Sequence, residues 1–404
     1  MDVLYPRCCG LDVHKDTVVA CLVTPGGGPG PRKEVRTFGT TTEELRDLAG
    51  WLAAAECTHV AMESTGVYWH PVWDALEERV ALLLVNARHV KAVPGRKTDV
   101  KDCEWLADLL RHGLLRGSAV PDRQRRELRE LTRYRAALVR ERAAHVNRLQ
   151  KTLEGAGLKL ASVASDVLGV SARAILAELA AGHDDPAALA ELAKGRLRAK
   201  LPELRRALDG RFGAHHRFLV PEILGHIDDL DERLGRLDAE VAERLGPFEA
   251  TVARLDAIPG VGRRAAEIIL AELGRDLGHF PSVRHCASWA GLCPGSHESA
   301  GKRKGGKTRK GNSYLRATLI ECALAAARKR ESYLAAQYHR LVRRLGKKKA
   351  AVAVAHSLLV IIYHLLTSGA EYADLGGDYF ARLDRDALER RHVRGLERLG
   401  FTVS

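Results

Sequence analysis

Short apolar runs mark the first 90 residues of the chain. The runs Cys8–Val13 and Thr17–Thr24 are rich in residues that favour strands, and the polar triplet between them predicts a hairpin turn. A loop rich in glycine and proline, residues 25–31, leads to a third, amphipathic strand at about residues 33–38. The pattern therefore predicts three consecutive antiparallel strands at the start of the fold.

The next segment adds helices with a different period. Thr41 and Glu44 form a capping box, and leucines then continue at helical spacing to about residue 55. A strand at 59–62, a helix at 68–79 and a strand at 81–85 follow. Three antiparallel strands followed by such crossover units predict a mixed sheet with helices on its faces. This is the element order of the RNase H-like fold.

Four acidic residues stand where this fold would bring them together. Asp12 lies inside the first strand and Glu63 follows the fourth, and these two strands are neighbours in the expected sheet. Asp99 and Asp102 share a face where the last helix of this region begins. Each acid alone also fits a solvated strand position or a helix cap. Together they favour a divalent cation, and ligands that are all oxygen suit Mg²⁺ or Mn²⁺ acting on a phosphodiester.

Composition narrows the class of partner. With 404 residues and 46% hydrophobic content, the chain is long enough for two or three domains with cores, which excludes a disordered protein. Lysine and arginine (64) exceed aspartate and glutamate (51) by 13, so we expect a polyanionic partner. Nucleic acid is the leading candidate.

Cysteine usage and hydropathy indicate the compartment. Eight scattered cysteines without a Cys-x-x-Cys pair indicate reduced thiols and a cytoplasmic, nucleoid-associated protein. No signal-peptide pattern opens the chain. The apolar run 350–366 is short and broken by polar residues, so we expect a buried helix and no membrane partner.

The middle of the chain predicts two long helices. Residues 123–151 hold ten basic residues against three acids, with leucines at mostly helical spacing. A solvated coiled-coil face and contact with a nucleic-acid backbone both explain that excess. From Ile223 to Val241, apolar residues repeat in steps of four and three, which is a coiled-coil seam. The two helices could pair with each other or with a second subunit.

The last part of the chain combines a glycine turn with a cationic loop. Residues 258–262, Ile-Pro-Gly-Val-Gly, precede a helix at 263–273 and look like a helix-hairpin-helix, in which glycines let backbone N–H groups approach a DNA phosphate. A plain tight turn is the alternative. Residues 302–316 hold seven basic residues and no acid, which favours a flexible loop on a phosphate backbone, although a basic surface loop would look the same. A small helical bundle follows.

The expected nucleic-acid contacts are the basic and glycine positions of these segments and the lysines beside the acid pair. They are Lys97, Lys101, Gly260, Gly262, Lys302, Arg303, Lys304, Lys307, Arg309, Lys310 and Arg316. Ser299 is the hydroxyl of interest in the same loop. Serine is a poor nucleophile without an activating base or metal, and no His-Asp pattern stands nearby, so the residues alone favour a turn-forming serine.

Taken together, these segments resemble the DEDD insertion-sequence transposases, the group that includes the Piv-type DNA invertases and the bridge-RNA-guided recombinases. The resemblance spans roughly residues 8–365. The matching segments are Gly10-Leu11-Asp12-Val13-His14-Lys15, Ala61-Met62-Glu63-Ser64-Thr65-Gly66, Lys97-Thr98-Asp99-Val100-Lys101-Asp102, Ile258-Pro259-Gly260-Val261-Gly262, Ser299-Ala300-Gly301-Lys302, Lys310-Gly311-Asn312 and Leu315-Arg316.

The resemblance implies roles for particular residues. Asp12, Glu63, Asp99 and Asp102 would be the metal-binding tetrad of a RuvC-like domain. Ser299 would be the nucleophile of the C-terminal transposase domain, forming a transient covalent link to DNA, with Ser296 in the same loop as the alternative. The family also implies a structured noncoding guide RNA from the element itself and assembly as a homodimer or homotetramer.

We therefore expect an α/β domain joined to mainly helical regions. These are a RuvC-like catalytic domain in residues 1–120, a coiled-coil dimerisation arm in 121–249, a transposase domain with a helix-hairpin-helix in 250–370 and a charged tail in 371–404. The expected function is a transposase or site-specific recombinase that cuts and rejoins DNA. The alternatives are a RuvC-like, metal-dependent endonuclease that hydrolyses DNA, and a non-catalytic nucleic-acid-binding protein, against which the presence of all four acids argues.

Overall fold

The described residues fall into two compact units, Met1–Pro121 and Asp122–Ser404. The structure, a computed structural model, describes residues 2–27, 30–64, 66–86, 102–295, 297–299, 302–383 and 385–402. In 297–299, in 302–305 and in parts of 385–395 the description is confined to the backbone.

A mixed sheet of six strands forms the centre of the first unit. Its elements are β1 (Cys8–Val13), β2 (Thr17–Thr24), β3 (Arg32–Gly39), α1 (Thr42–Ala54), β4 (His59–Glu63), α2 (Trp69–Leu76), β5 (Ala81–Val85), α3 (Asp102–Arg111) and β6 (Gly117–Ser118). The strand order is β3-β2-β1-β4-β5-β6, with β1, β4 and β5 parallel to one another. The predicted mixed sheet with flanking helices is confirmed. The two-residue strand β6 was not predicted, because so short a segment shows no period.

The capping box predicted for α1 is present. The Thr41 hydroxyl accepts a hydrogen bond from the Glu44 backbone N–H, and the Glu44 carboxylate accepts one from the Thr41 backbone N–H. Two N–H groups that have no partner inside the helix are thereby satisfied. The start of α1 is therefore set locally, by the sequence at that point.

Alternate residues of β1 enter two different hydrophobic layers. Cys9, Leu11 and Val13 belong to the core that also holds the buried residues of α1 and α2. Cys8 belongs to a second cluster with buried residues of α3. Because side chains alternate along a strand, positions 8, 10 and 12 face α3.

Two long antiparallel helices open the second unit. The elements of this part are α4 (Arg123–Gly155), α5 (Leu160–Val163), α6 (Val170–Ala181), α7 (Pro186–Glu191), α8 (Leu201–Leu208) and α9 (Ala214–Leu245). Ion pairs join α4 and α9 along their length: Glu127–Arg244, Arg135–Asp238 and Arg142–Asp231. In these pairs the residue numbers rise along α4 as they fall along α9, so the two helices are antiparallel. They pair with each other within one chain.

The rest of the second unit is mainly helical. Its elements are α10 (Glu249–Asp256), α11 (Arg263–Leu273), α12 (Val283–Trp289), β7 (His297–Ser299), β8 (Lys302–Gly305), α13 (Ser313–Ala326), α14 (Tyr333–Leu345), α15 (Lys347–Ser368), α16 (Tyr379–Leu383) and α17 (Arg385–Arg398). Among the described residues, α15 is the one helix that is long and apolar enough to cross a membrane, and half of its apolar window is buried inside the structure. Val354, Leu358 and Ile362 join the core with residues of α11 and α13, as predicted for a buried helix.

The cationic segment differs from the flexible loop that we expected. Strands β7 and β8 pair antiparallel, with Ser299 opposite Lys302. The flanking backbone continues this pairing through a bridge between Pro294 and Thr308. A hairpin of this kind is held by backbone hydrogen bonds and needs no hydrophobic period, so the glycine-rich and lysine-rich sequence did not reveal it.

Candidate active site

Asp12 and Glu63 directly follow the last paired residues of two neighbouring strands, β1 and β4. In the parallel pair β1 and β4, Gly10 is aligned with Ala61 and Leu11 with Met62, and the next residue on each strand is Asp12 or Glu63. Adjacent strands are about 4.8 Å apart. Because Cys8 and Ala61 both pack against α3, Asp12 and Glu63 are on the α3 side by the alternation of side chains.

The start of α3 brings Asp102 to the same edge. A Cβ atom at Gly10 would lie 2.2 Å from the carbonyl oxygen of Cys103, so the backbones of β1 and α3 are in direct contact there. Asp102 is the first residue of α3, immediately before that contact. Burial raises the pKa of the Cys103 thiol, and the nearby Asp12 carboxylate adds to the rise. The first turn of α3 is therefore close to Asp12.

Polar groups surround these acids. Nε2 of His14 lies 3.1 Å from Oδ2 of Asp12, whose side chain is 31% exposed. Oδ1 of Asp102 is buried. Sequence reasoning assigned His14 no role, although its position two residues after an acid at a strand end was a usable signal.

The three described acids do not form one tight cluster. Among the described residues, Asp12, Glu63 and Asp102 do not form a group whose carboxylate oxygens all lie within 4.8 Å of one another. The remaining predicted acid, Asp99, and its neighbours Lys97 and Lys101 lie outside the described residues. The structure thus places Asp12 and Glu63 on one face of the sheet and Asp102 at the start of α3, the helix that packs on that face.

The base of the serine hairpin is held at both ends. The Gly295 N–H donates to the Lys307 carbonyl at 2.8 Å, and the Asn312 N–H donates to the Trp289 carbonyl at 3.0 Å. The backbone of β7 and β8 places Ser299 in the hairpin. The side chains of Ser299, Lys302, Arg303 and Lys304, and the alternative nucleophile Ser296, lie outside the described residues.

A buried carboxylate holds this base in place. Glu272, on α11, is fully buried, and its two oxygens accept hydrogen bonds from Nε and Nη2 of Arg133 at 2.7 and 2.9 Å. Asn312 donates to the same carboxylate at 2.6 Å and caps α13 by accepting from the Leu315 N–H. A charged residue inside an otherwise apolar helical run was the available signal, and sequence reasoning missed it.

The arginines of α4 make further contacts with the protein. Nε of Arg129 donates to the Ala271 carbonyl at 3.0 Å, and burial lowers the pKa of Arg129 to about 10. Arg135 and Arg142 pair with acids on α9. Several of the arginines that could have suggested nucleic-acid contact therefore form contacts between α4 and the helices α9 and α11.

The glycine turn has one packed and one open position. Gly260 has φ +84°, and a Cβ atom there would lie 2.4 Å from the backbone of both Cys322 and Ala326, so glycine lets the turn pack against α13. Gly262 precedes α11 and is exposed. A Cβ atom added to Gly262 would have no other atom within 4 Å. The backbone at Gly262 is thus the part of the turn that is open to a ligand.

The described basic residues of the hairpin face solvent. Lys307, Arg309 and Lys310 are exposed, whereas Arg316, on the first turn of α13, is half-buried. Exposed cations that follow one another along a short segment can contact a phosphate backbone at little cost in desolvation.

Two family models match this chain. A transposase model of the DEDD type found in IS110 elements matches residues 9–157, and the model described as "Transposase IS116/IS110/IS902 family" matches residues 252–339. The first match contains the acids of the sheet, and the second contains the glycine turn and the serine hairpin. The chain belongs to the DEDD-type insertion-sequence transposases.

Relatives of this transposase align over most of its length. The transposase for insertion sequence element IS1111A of Coxiella burnetii is 26% identical over 372 residues, which is 90% of each chain. A Pseudomonas aeruginosa protein named "Probable family 20 transposase" is 26% identical over 76% of this chain and 83% of its own. The transposase for element IS1328 of Yersinia enterocolitica is 24% identical over 81% and 89%.

Membership of the family establishes the general activity. The protein is a DNA-processing enzyme of an insertion sequence, and DNA is its partner. The family also suggests a divalent metal cofactor. The resemblance noted in the sequence is confirmed.

Proposed function

We propose that this transposase breaks and rejoins DNA strands by combining the acidic edge of its first unit with Ser299 of its second. The observation that carries the proposal is that Asp12 and Glu63 follow the last paired residues of β1 and β4, on the face against which α3, beginning with Asp102, is packed. Carboxylates so placed need a function, because like charges at one edge repel one another.

The sheet order supports a RuvC-like fold for this unit. Strand β1 is central, flanked by the antiparallel β2 on one side and the parallel β4 on the other. In that arrangement the acidic residues of β1 and β4 and the start of α3 meet at the carboxyl ends of the parallel strands. Open α/β sheets place their ligand sites at such an edge.

The acids fit a divalent cation. Their donor set consists of carboxylate oxygens alone, and Asp12 is partly exposed to solvent, as entry of a hydrated ion requires. Asp12, Glu63 and Asp102, together with Asp99, would hold Mg²⁺ or Mn²⁺. When bound, the ion would polarise a phosphodiester and favour ionisation of a hydroxyl. His14 would keep Asp12 oriented through the 3.1 Å contact.

Ser299 would act as the nucleophile. Its Oγ would form a bond to phosphorus as the DNA phosphodiester loses its sugar oxygen, and the released DNA hydroxyl would take the proton. Attack by a second DNA hydroxyl would then free the serine and join the new strands. The anchored base of the hairpin and the exposed Lys307 and Lys310 support this role, since a nucleophile must be held close to the bound backbone.

The nucleic acid would include a structured guide RNA from the element, in a homodimer or homotetramer. The positive charge excess of 13 supports a large polyanionic partner. Purification of the protein with the element's noncoding region coexpressed should recover one discrete RNA species at a fixed ratio to protein. Recovery of only heterogeneous cellular RNA would reject a dedicated guide.

The metal-binding role is tested by substitution on one helix and one strand. Asp12→Asn and Asp102→Asn should each lower strand transfer by about a hundredfold or more, by analogy with removal of one group that stabilises transition-state charge. Asp108→Asn is the matched control, because Asp108 is also on α3 but pairs with Lys33 at 2.7 Å. Full activity of Asp12→Asn, or full activity in EDTA, would reject the proposal.

A further inference from the structure

A group of metal-binding side chains lies on the arm formed by α4 and α9. Glu141 and His145 are four residues apart, one turn of α4, and His226 faces them from α9. Nε2 of His226 is 3.3 Å from Oε1 of Glu141, and the rings of His145 and His226 are 4.1 Å apart between centroids. One ligand atom from each residue lies within 4.8 Å of the other two.

The position of this group is fixed by the helices around it. Arg142, next to Glu141, pairs with Asp231 on α9. Leu138 packs with Leu230 one turn away on the same side of the pair. Contacts between α4 and α9 therefore bring the three side chains together, and no loop has to move.

One nitrogen in the group has no hydrogen-bond partner in the part of the chain that the structure describes. Nδ1 of His145 is buried and makes no hydrogen bond to a described residue. A buried polar atom left without a partner destabilises the fold, so a ligand that binds to it is favoured. The Glu141 and His226 side chains are each a little less than half exposed, which leaves an entry path for an ion.

We propose that Glu141, His145 and His226 bind a divalent transition-metal ion of the zinc type, linking the two helices of the arm. Two imidazoles and one carboxylate form a tetrahedral zinc set with one position left for water. Such donors favour late first-row ions, whereas the all-oxygen edge of the first unit favours Mg²⁺ or Mn²⁺. The arm site is therefore chemically distinct from the proposed active site.

The ionisation of His145 is compatible with this role. Burial, together with the neighbouring His226, lowers the pKa of His145, which favours the neutral imidazole. Neutral imidazole is the form that binds metal. A bound ion would stabilise the paired arm by mass action, because unfolding separates α4 from α9.

Zinc binding by the full-length protein tests the proposal. After chelator treatment, the wild type should bind one more Zn²⁺ per chain than His145→Gln or His226→Gln, and should gain thermal stability on addition of Zn²⁺. Loss of either imidazole should weaken the arm site at least about tenfold, since even partners outside the ligand shell contribute that much. Zinc-edge X-ray absorption should show two imidazole ligands in the wild type.

Two controls make the result specific. His183→Gln removes a histidine that contacts one carboxylate, Glu178, at 2.6 Å, and it should bind zinc like the wild type. Asp12→Asn should also keep the arm site. Equal zinc stoichiometry and affinity in the wild type, His145→Gln and His226→Gln would overturn the proposal, as would zinc that is lost only in Asp12→Asn. Circular dichroism of both histidine variants checks that the arm remains folded.

Discussion

Arg133 and Glu272 form a two-pronged ion pair, with Nε and Nη2 donating to the two carboxylate oxygens at 2.7 and 2.9 Å. The pair links α4, a helix of the arm, to α11, which follows the glycine turn. Through Asn312 it also reaches the base of the serine hairpin. One carboxylate thus connects three elements, with contacting residues that are 139 and 40 positions away from it in the sequence.

Glu272→Gln should destabilise the second unit by about 3 kcal/mol. Removing one member of a buried ion pair leaves its partner uncompensated, and Arg133, at 38% exposure, places the cost at the low end of the usual range. Hydrogen exchange of the intact protein should show faster exchange at the start of α13, where Asn312 loses one of its anchors.

Glu240→Gln is the matched comparison for this substitution. Glu240 pairs with Arg244 on the exposed surface of α9, where an ion pair contributes about 0.5 kcal/mol or less. Identical exchange in Glu240→Gln and Glu272→Gln would show that the buried pair does not organise the hairpin base.

Gly10→Ala should displace α3 from β1. The added Cβ would lie 2.2 Å from a backbone oxygen, so the helix must shift, at a cost of about 1–3 kcal/mol or more. Strand transfer should fall with stability, because Asp102 is carried by α3. The measurements are thermal unfolding and strand transfer at a temperature where the variant is folded.

Gly50→Ala controls for the added methyl group. Gly50 is inside α1 with open space around it, and alanine there should be neutral or stabilise by about 0.5–1 kcal/mol. If Gly10→Ala retained the wild-type melting temperature and activity, the close contact between β1 and α3 would not matter for the acidic edge.

These contacts show what the sequence could and could not predict. The first unit followed from local signals: period-two apolar runs, the capping box at Thr41 and crossover spacing predicted its sheet. The contacts of Glu272 could not be predicted in this way, because Arg133 lies 139 residues before it in the sequence and Asn312 lies 40 residues after it. No local sequence pattern distinguishes an arginine that forms an ion pair inside the protein from one that binds DNA.

The exposed basic residues of the hairpin should contribute to DNA binding through phosphate contacts. Alanine at Lys307, Arg309 or Lys310 should weaken binding uniformly across DNA sequences, and each should lower the slope of log K against log salt by about one. Arg236→Ala, at an exposed pair with Glu232 on α9, should leave the slope unchanged. Unaltered slopes in all three hairpin variants would place the phosphate contacts elsewhere.

The role of Ser299 could also not be predicted from the surrounding residues alone. The residues around Ser299 supplied no base, and only the resemblance to the family singled it out over Ser296. The backbone places Ser299 in β7, opposite Lys302, on a hairpin whose base is anchored. Its chemistry depends on groups brought together by tertiary structure and by DNA, which a local pattern does not contain.

The most direct test of Ser299 as the nucleophile is the search for a covalent intermediate. The protein, Mg²⁺, co-purified RNA and end-labelled DNA carrying the element's ends would be mixed and resolved on a denaturing gel. If Ser299 is the nucleophile, a protein–DNA adduct should form in the wild type and in Ser296→Ala but not in Ser299→Ala, which should still bind DNA. Cleaved DNA without an adduct, unchanged in Ser299→Ala, would contradict this role and indicate a hydrolytic nuclease.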